Sequence, residues 1–281
     1  MEIAQALAMY QKILDHRKFY VEYATNHGNY ENTVRAFDKL LLELDDMLVY
    51  GKITMLAKSR LMTEKLLSKT LQWRRDFING NVLHDLDVEL LSGVLTANVA
   101  MNLPCLELFP GTGQFLPYVV ASEPLYIADR FIEICDDAGK ALNNEFYANR
   151  RLIKYAINDF DVTQLPYNCF GLVYCFNEFF HADEGYVYAW AREVYNLLYD
   201  GGKFIFNFLP YDEFWAIKAC YESDFTVLDY KTLCSKLEEL GYVIEKCEIH
   251  EFRSSFIVAT KPGTPPDVIK SGGSMAQIVD I

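Results

Sequence analysis

The residues with the types and spacing to do chemistry lie between 103 and 181. Leu103-Pro-Cys-Leu-Glu107 is a short apolar run ending on an acid, followed by a tight turn that contains Gly111 and Gly113. Glycine serves where backbone must turn sharply or approach a ligand closely, because it has no Cβ. A strand ending in such a turn is how an open α/β sheet builds a nucleotide pocket. Further on, Asp129, Asp159-Phe160 and Phe176-Asn177 each close a separate apolar run. Asp at such places also caps helices and turns, and for any one of them that explanation suffices. A set of them at successive strand ends, where open α/β sheets bind ligands, points to one site. Glu178 and His181 follow, in Asn177-Glu-Phe-Phe-His181, and are the candidate proton acceptors of a catalytic step, His having the suitable intrinsic pKa. His181 is equally well read as a helix cap or as a ring packed among aromatics.

The elements that must position these groups follow from hydrophobic pattern. From 103 onward, short apolar strands alternate with helices, which predicts a parallel sheet with right-handed crossovers. Strands are expected at about 104–109, 125–128, 152–157, 171–176 and 203–208, with a final pair at 242–249 and 253–260. Helices are expected from near Gly113, then over about 131–148, 184–199 and 229–240, with Gly201-Gly202 as a helix stop. Residues 1–100 read as helices, on the apolar stripes Ile3, Leu7, Tyr10, Leu14 and Val34, Phe37, Leu41, Leu44, Leu48, with a last helix at about 85–100. Residues 262–281 read as a flexible tail.

Composition bounds the rest. The chain has 281 residues, half of them apolar and 15% aromatic, enough for one large domain with a helical appendage. Its net charge of −13 falls mostly on 101–261, with 13 basic and 24 acidic groups, which disfavours nucleic acid as a substrate. Residues 52–75 are the exception: seven Lys/Arg face one Glu64. They read as a solvated helix face in preference to a docking patch for an anionic partner. Seven scattered cysteines without a C-x-x-C pair, and no signal-peptide or membrane-spanning pattern, predict a reduced, cytoplasmic protein. The five histidines lack metal-ligand spacing, so no metal site is expected.

The order strand, glycine turn, strand-Asp, strand-Asp-Phe, apolar strand, helix, Gly-Gly, strand resembles the class I S-adenosylmethionine-dependent methyltransferases over about 103–261. The resemblance implies a doubly wound, mostly parallel, seven-stranded Rossmann-like sheet. The domain would span 101–261, with 1–100 as a helical cap over the cofactor cleft. It implies S-adenosyl-L-methionine as cofactor. Glu107, Phe109, Gly111 and Gly113 would then form the first motif, Asp129 would chelate the ribose hydroxyls, and Asp159 (with Asp161 as a competitor) and Phe160 would meet the adenine. Phe176 and Asn177 would contact the methionine part. Phe109 stands where the family has its first glycine, so its side chain must point away from the ligand or pack against it. Leu116 at the third position of Gly111-Thr-Gly113-Gln-Phe-Leu116 argues against a nicotinamide fingerprint. After strand 4 there is no Asn-Pro-Pro-Tyr or Asp-Pro-Pro-Tyr of the amide and exocyclic-amine enzymes. With Tyr211 and Asp212 also on the expected substrate side, the reading is methyl transfer to a small-molecule O- or N-acceptor. The alternatives are a non-catalytic methyltransferase-like binding or assembly module and, third, a protein methyltransferase. A homodimer or protein partner would use the cap or the tail.

Overall fold

The computed structural model describes residues 71–80, 85–101, 103–142, 151–211, 225–250 and 254–264, with breaks of single residues and a few isolated positions elsewhere. The N-terminal stripes, most of the basic segment, Asp212 and the tail lie outside the described residues.

Among the described residues two helices precede the sheet, α1 (Leu71–Gly80) and α2 (Asp85–Asn98). Seven strands follow: β1 (Cys105–Leu108), β2 (Leu125–Asp129), β3 (Leu152–Ala156), β4 (Phe170–Cys175), β5 (Leu198–Phe208), β6 (Val243–Glu248) and β7 (Ser255–Thr260). Helices α3 (Ile132–Gly139), α4 (Glu184–Leu197) and α5 (Tyr230–Glu239) lie between them. The strands form one sheet in the order β3-β2-β1-β4-β5-β7-β6. The first five are parallel, and β7 pairs antiparallel with both β5 and β6.

Strand composition explains this order. β1 and β4 are central and buried at every position, and such strands must be apolar on both faces. β6, with Glu245, Lys246 and Glu248, is a charged edge that discourages pairing with another chain. Alternate residues feed two cores. Leu106, Leu108, Val173, Cys175, Phe204 and Phe206 pack with α4 and α5. Cys105, Leu172, Tyr174, Ile205 and Phe256 pack with α2, α3 and the turn after β1. Helix α4 contributes the stripe Tyr186, Val187, Trp190, Ala191, Val194 and Leu197, and begins where Asp183 accepts a hydrogen bond from the Tyr186 N–H.

Two elements differ from expectation. The glycine turn feeds no α-helix, only a 3₁₀ turn at Leu116–Val119. Pro117 has no N–H to give the Gly113 carbonyl, which accepts from Leu116 instead at 3.1 Å, and the segment continues in i→i+3 bonds up to Ser122. Strand β5 begins directly after α4 and takes in Gly201-Gly202, which makes a bulge and not simply a helix stop. Phe170 pairs with Leu198 but Leu172 with Lys203, and a Cβ on Gly202 would stand 2.7 Å from the Phe170 carbonyl oxygen. Among the described residues no helix is long and apolar enough to cross a membrane. The described cysteines are free thiols, four of them buried.

Candidate functional site

The backbone is unusual where parallel strands end. Phe109, Asp159 and Asn177, following β1, β3 and β4, are non-glycine residues with φ of +57°, +45° and +70°. A fourth, Asn168, lies before β4 at the opposite end of the sheet. Such conformations cost on the order of 1–3 kcal/mol each and cluster at functional sites. Surrounding bonds hold them. The Phe109 N–H donates to the Ala128 carbonyl at 2.7 Å, and the Asn177 N–H donates to Oδ1 of the buried Asn207 at 2.8 Å. Gly113 has φ +74° and lies so close to α3 that a Cβ there would sit 2.2 Å from the Ala138 carbonyl oxygen. This glycine is required by the docking of the turn on α3.

The ends of β1 and β4 border one cleft. Its floor and walls are Glu107, Phe109, Pro110, Gly111, Thr112, Gln114, Phe115, Phe176, Asn177 and Glu178; Arg74, Phe77 and Ile78 of α1 roof it. Its water-accessible space is about 40 Å³, enough for roughly three or four water molecules. Glu107 is buried, and its Oε2 has no hydrogen-bond partner among the described residues. Burial pushes its carboxyl up to about 8, with the Tyr174 side chain offsetting part of the rise. At neutral pH it is mainly protonated.

Beside Glu107 runs a buried ionic chain. Arg74, 2% exposed, donates from Nη2 to Asp129 Oδ2 at 2.9 Å and from Nη1 to Glu178 Oε2 at 2.7 Å. Arg130 Nη1 reaches the other Glu178 oxygen, Oε1, at 3.1 Å, and its remaining nitrogens approach Asp159 at 3.6 Å and the Tyr186 hydroxyl. The Phe109 ring lies between the two guanidiniums, 4.8 Å from Arg130 Cζ and 5.5 Å from Arg74 Cζ, with its edge on Trp190. Burial opposes ionisation of Glu178, but the two arginines outweigh it and hold its carboxyl below the usual range.

The fold therefore brings Glu107, Phe109, Gly111, Phe176, Asn177 and Glu178 to one cleft. Asp129 lies one ion pair away, fully buried, and also accepts from the Phe131 N–H at 3.3 Å. Gly113 sits behind the turn. Asp159 is half-exposed on the outer side of Arg130, and Phe160 packs on Tyr186 and Trp190. Asp161 caps its own turn by accepting from Thr163. Tyr211 is half-buried against the second core and does not line the cleft.

Two expectations need correction. Glu178 is not poised as a base, because both oxygens are committed to arginines. The basic run does not end on a solvated face: Arg74 is buried and ion-paired, while Arg75 makes a half-exposed pair with Asp137 at 3.1 Å. His181 is fully buried, its ring against Phe77 at 4.5 Å and Phe225 at 5.2 Å. Sequence reasoning did not find Arg74 or Arg130. For Arg130 a signal existed, since it directly follows Asp129 at a strand end. Among the described residues no group of three or more His, Cys, Asp or Glu is placed to hold a metal ion.

No protein-family model and no curated protein matches the chain. Solved structures do. A Synechocystis magnesium protoporphyrin IX methyltransferase, solved with S-adenosylmethionine bound, is 16% identical, with a TM-score of 0.51 over 73% of this chain and 97% of that one. A Nostoc punctiforme protein, provisionally assigned as an O-methyltransferase, is 17% identical with a TM-score of 0.51; the match covers 62% of this chain and 55% of that one, so the chain spans about half its length. A Bordetella parapertussis protein designated a possible exported protein matches over 94% of this chain and 98% of its own, at 13% identity and a TM-score of 0.52. Likeness at this level is likeness of fold, and the strand order agrees with it: the chain has the Rossmann-like fold of the class I S-adenosylmethionine-dependent methyltransferases.

Proposed function

We propose that this protein is an S-adenosylmethionine-dependent methyltransferase acting on a small-molecule acceptor. The observation that carries the reading is the buried Glu107, with an unsatisfied oxygen at the floor of a cleft ringed by left-handed backbone. The residue types suit the cofactor. Glu107 offers a buried carboxyl group that a ligand's ammonium would draw into its ionised form, the Gly111–Gly113 turn offers bare backbone, and Asp129 suits a vicinal diol. Asp159 and Phe160 stand at the end of β3, where an adenine would lie. The room does not suit it in this arrangement, since ligand sites run to ~300 Å³ or more against about 40 Å³ of water-accessible space here. The described state is thus a closed form of a site with suitable groups.

When bound, the cofactor supplies a methyl group already activated by the positive sulfur. The chain's own task is then to orient donor and acceptor and exclude water. Phe115 and Phe176, in edge contact at 4.8 Å, give the cleft an apolar wall for this. The test is calorimetric titration with S-adenosylmethionine and S-adenosylhomocysteine. Binding is expected, weakened about tenfold or more in Glu107→Gln by loss of a charge-assisted hydrogen bond. Absence of binding by wild-type protein and by a variant lacking Arg74 would refute the reading.

A second reading, a methyltransferase-like module that binds without turning over, is favoured by one observation. Both candidate proton acceptors are sealed, Glu178 by arginines and His181 by Phe77 and Phe225. Binding without transfer to any acceptor in a broad panel of phenols, amines and carboxylates would select it.

A further inference from the structure

We propose that α1 is a latch that occupies the cofactor site from within, with Arg74 standing on Asp129 in place of the ligand's diol. This rests on the cofactor reading above. Arg74, Phe77 and Ile78 fall at i, i+3 and i+4, one face of α1. That face covers three features at once. Arg74 takes an oxygen of Asp129 and one of Glu178; Phe77 lies edge-on to the His181 ring; Ile78 is the atom group nearest to Gly111, 3.8 Å from where a Cβ would be. A single displacement of α1 would free the diol-binding carboxylate, strip the His181 imidazole of its contact with Phe77 and open the glycine turn. All three are groups a methyl-transfer site would use.

The arrangement is suited to release. A buried ion pair that loses one partner is strongly destabilised when the other charge is left alone. Here neither carboxylate would be left alone. Glu178 keeps Arg130 at 3.1 Å, and Asp129 keeps the Phe131 N–H and could accept a ligand's hydroxyls in place of the guanidinium. Arg74 itself is incompletely satisfied, its buried Nε having no hydrogen-bond partner among the described residues. The tie between α1 and α3, Arg75–Asp137, is half-exposed and of the kind worth at most about 1 kcal/mol. The latch imposes a cost on ligand binding equal to the closed-to-open ratio, because apparent affinity scales with the fraction of open protein.

The experiment is S-adenosylhomocysteine binding by calorimetry to the full chain as wild type, Arg74→Gln and Arg74→Lys, with hydrogen exchange of residues 71–80 in bound and free wild-type protein. Arg74→Gln is expected to bind roughly tenfold tighter or more, with Arg74→Lys between it and wild type. Amides of α1 should exchange faster when ligand is bound. If wild type binds and neither variant is tighter, the latch is overturned and the cofactor reading stands. Slower exchange of α1 on binding overturns it equally, showing a lid that closes over ligand. Binding by none of the three proteins overturns both. Should Arg74→Gln fail to fold, the lysine variant and the exchange measurement decide.

Discussion

Replacing Glu178 by Gln tests whether the ionic chain under the cleft is structural. Its carboxylate is about 2% exposed and meets two guanidiniums at 2.7 and 3.1 Å. Pairs at such range are worth about 4 kcal/mol each at an effective dielectric near 20, before desolvation is subtracted. Glutamine keeps the shape but not the charge. Its oxygen can accept from one arginine, while its amide protons face the other. Arg74 would retain Asp129, and Arg130 only the half-exposed Asp159 at 3.6 Å. Breaking a buried pair of this kind costs about 3–5 kcal/mol, a large share of the ~5–15 kcal/mol that holds a domain together. Urea unfolding followed by tryptophan fluorescence measures it, with Lys236→Met, which breaks the partly exposed Lys236–Glu184 pair, as the control expected below ~1 kcal/mol. The sign with pH is fixed too. The folded carboxyl of Glu178 is depressed below 4.5, so its stabilisation is present above that value and lost as pH falls through the folded one. A loss in Glu178→Gln no larger than the control's would refute the reasoning, and Glu178 would again be a candidate base.

Glu107 gives the opposite slope. Its folded pKa of about 8 against 4.5 means the folded state alone holds that proton between the two values, so stability falls as pH rises through this window. In Glu107→Gln the wild-type-minus-variant difference in urea midpoint should fall from pH 5 to 8 and level off beyond; a flat difference would count against a buried, protonated Glu107. Phe109→Gly restores the family's residue at φ +57° and relieves about 1 kcal/mol of strain. It also deletes a ring that is 4% exposed, at a cost of about 3–5 kcal/mol, so a net loss of about 2–4 kcal/mol in unfolding free energy is expected. Gly113→Ala should destabilise by at least as much, because its Cβ would meet the Ala138 carbonyl at 2.2 Å; an unchanged melting temperature would disprove the close approach of turn and α3.

The sheet was legible in sequence because a parallel strand buried on both faces must be a largely apolar run, and β1 apart from Glu107, β2 up to Ala128, and β4 are such runs. The strand-end residues were legible for a related reason: a polar group interrupting such a run marks where the chain leaves the core. What could not be read were interactions set by distance along the chain. Arg74 lies among seven cations in a stretch whose composition describes solvated helix, and its burial depends on Asp129 and Glu178, 55 and 104 residues away. The same pairing removed Glu178 from the list of bases, where its position after β4 had put it. The missing helix after the glycine turn was readable in principle. Pro117 stands where the fourth residue of that helix would have to donate to Gly113.

The departure of Phe109 from the family's glycine and the proposed latch are linked through the Phe109 ring. A glycine at φ +57° would leave a void between Arg74 and Arg130, two cations whose mutual repulsion works against holding both beside Glu178. The Phe109 ring fills that space with a π face to each, at 5.5 and 4.8 Å, and anchors itself on Trp190 5.1 Å away. With left-handed backbone at 109 the ring packs down against Trp190 of α4 while Phe109 still lines the cleft. On the proposed reading, the Phe109 ring is thus the platform that holds the Arg74 guanidinium on Asp129. Phe109→Gly should therefore loosen α1 as well as the core, and hydrogen exchange of residues 71–80 in that variant is expected to rise without any ligand present.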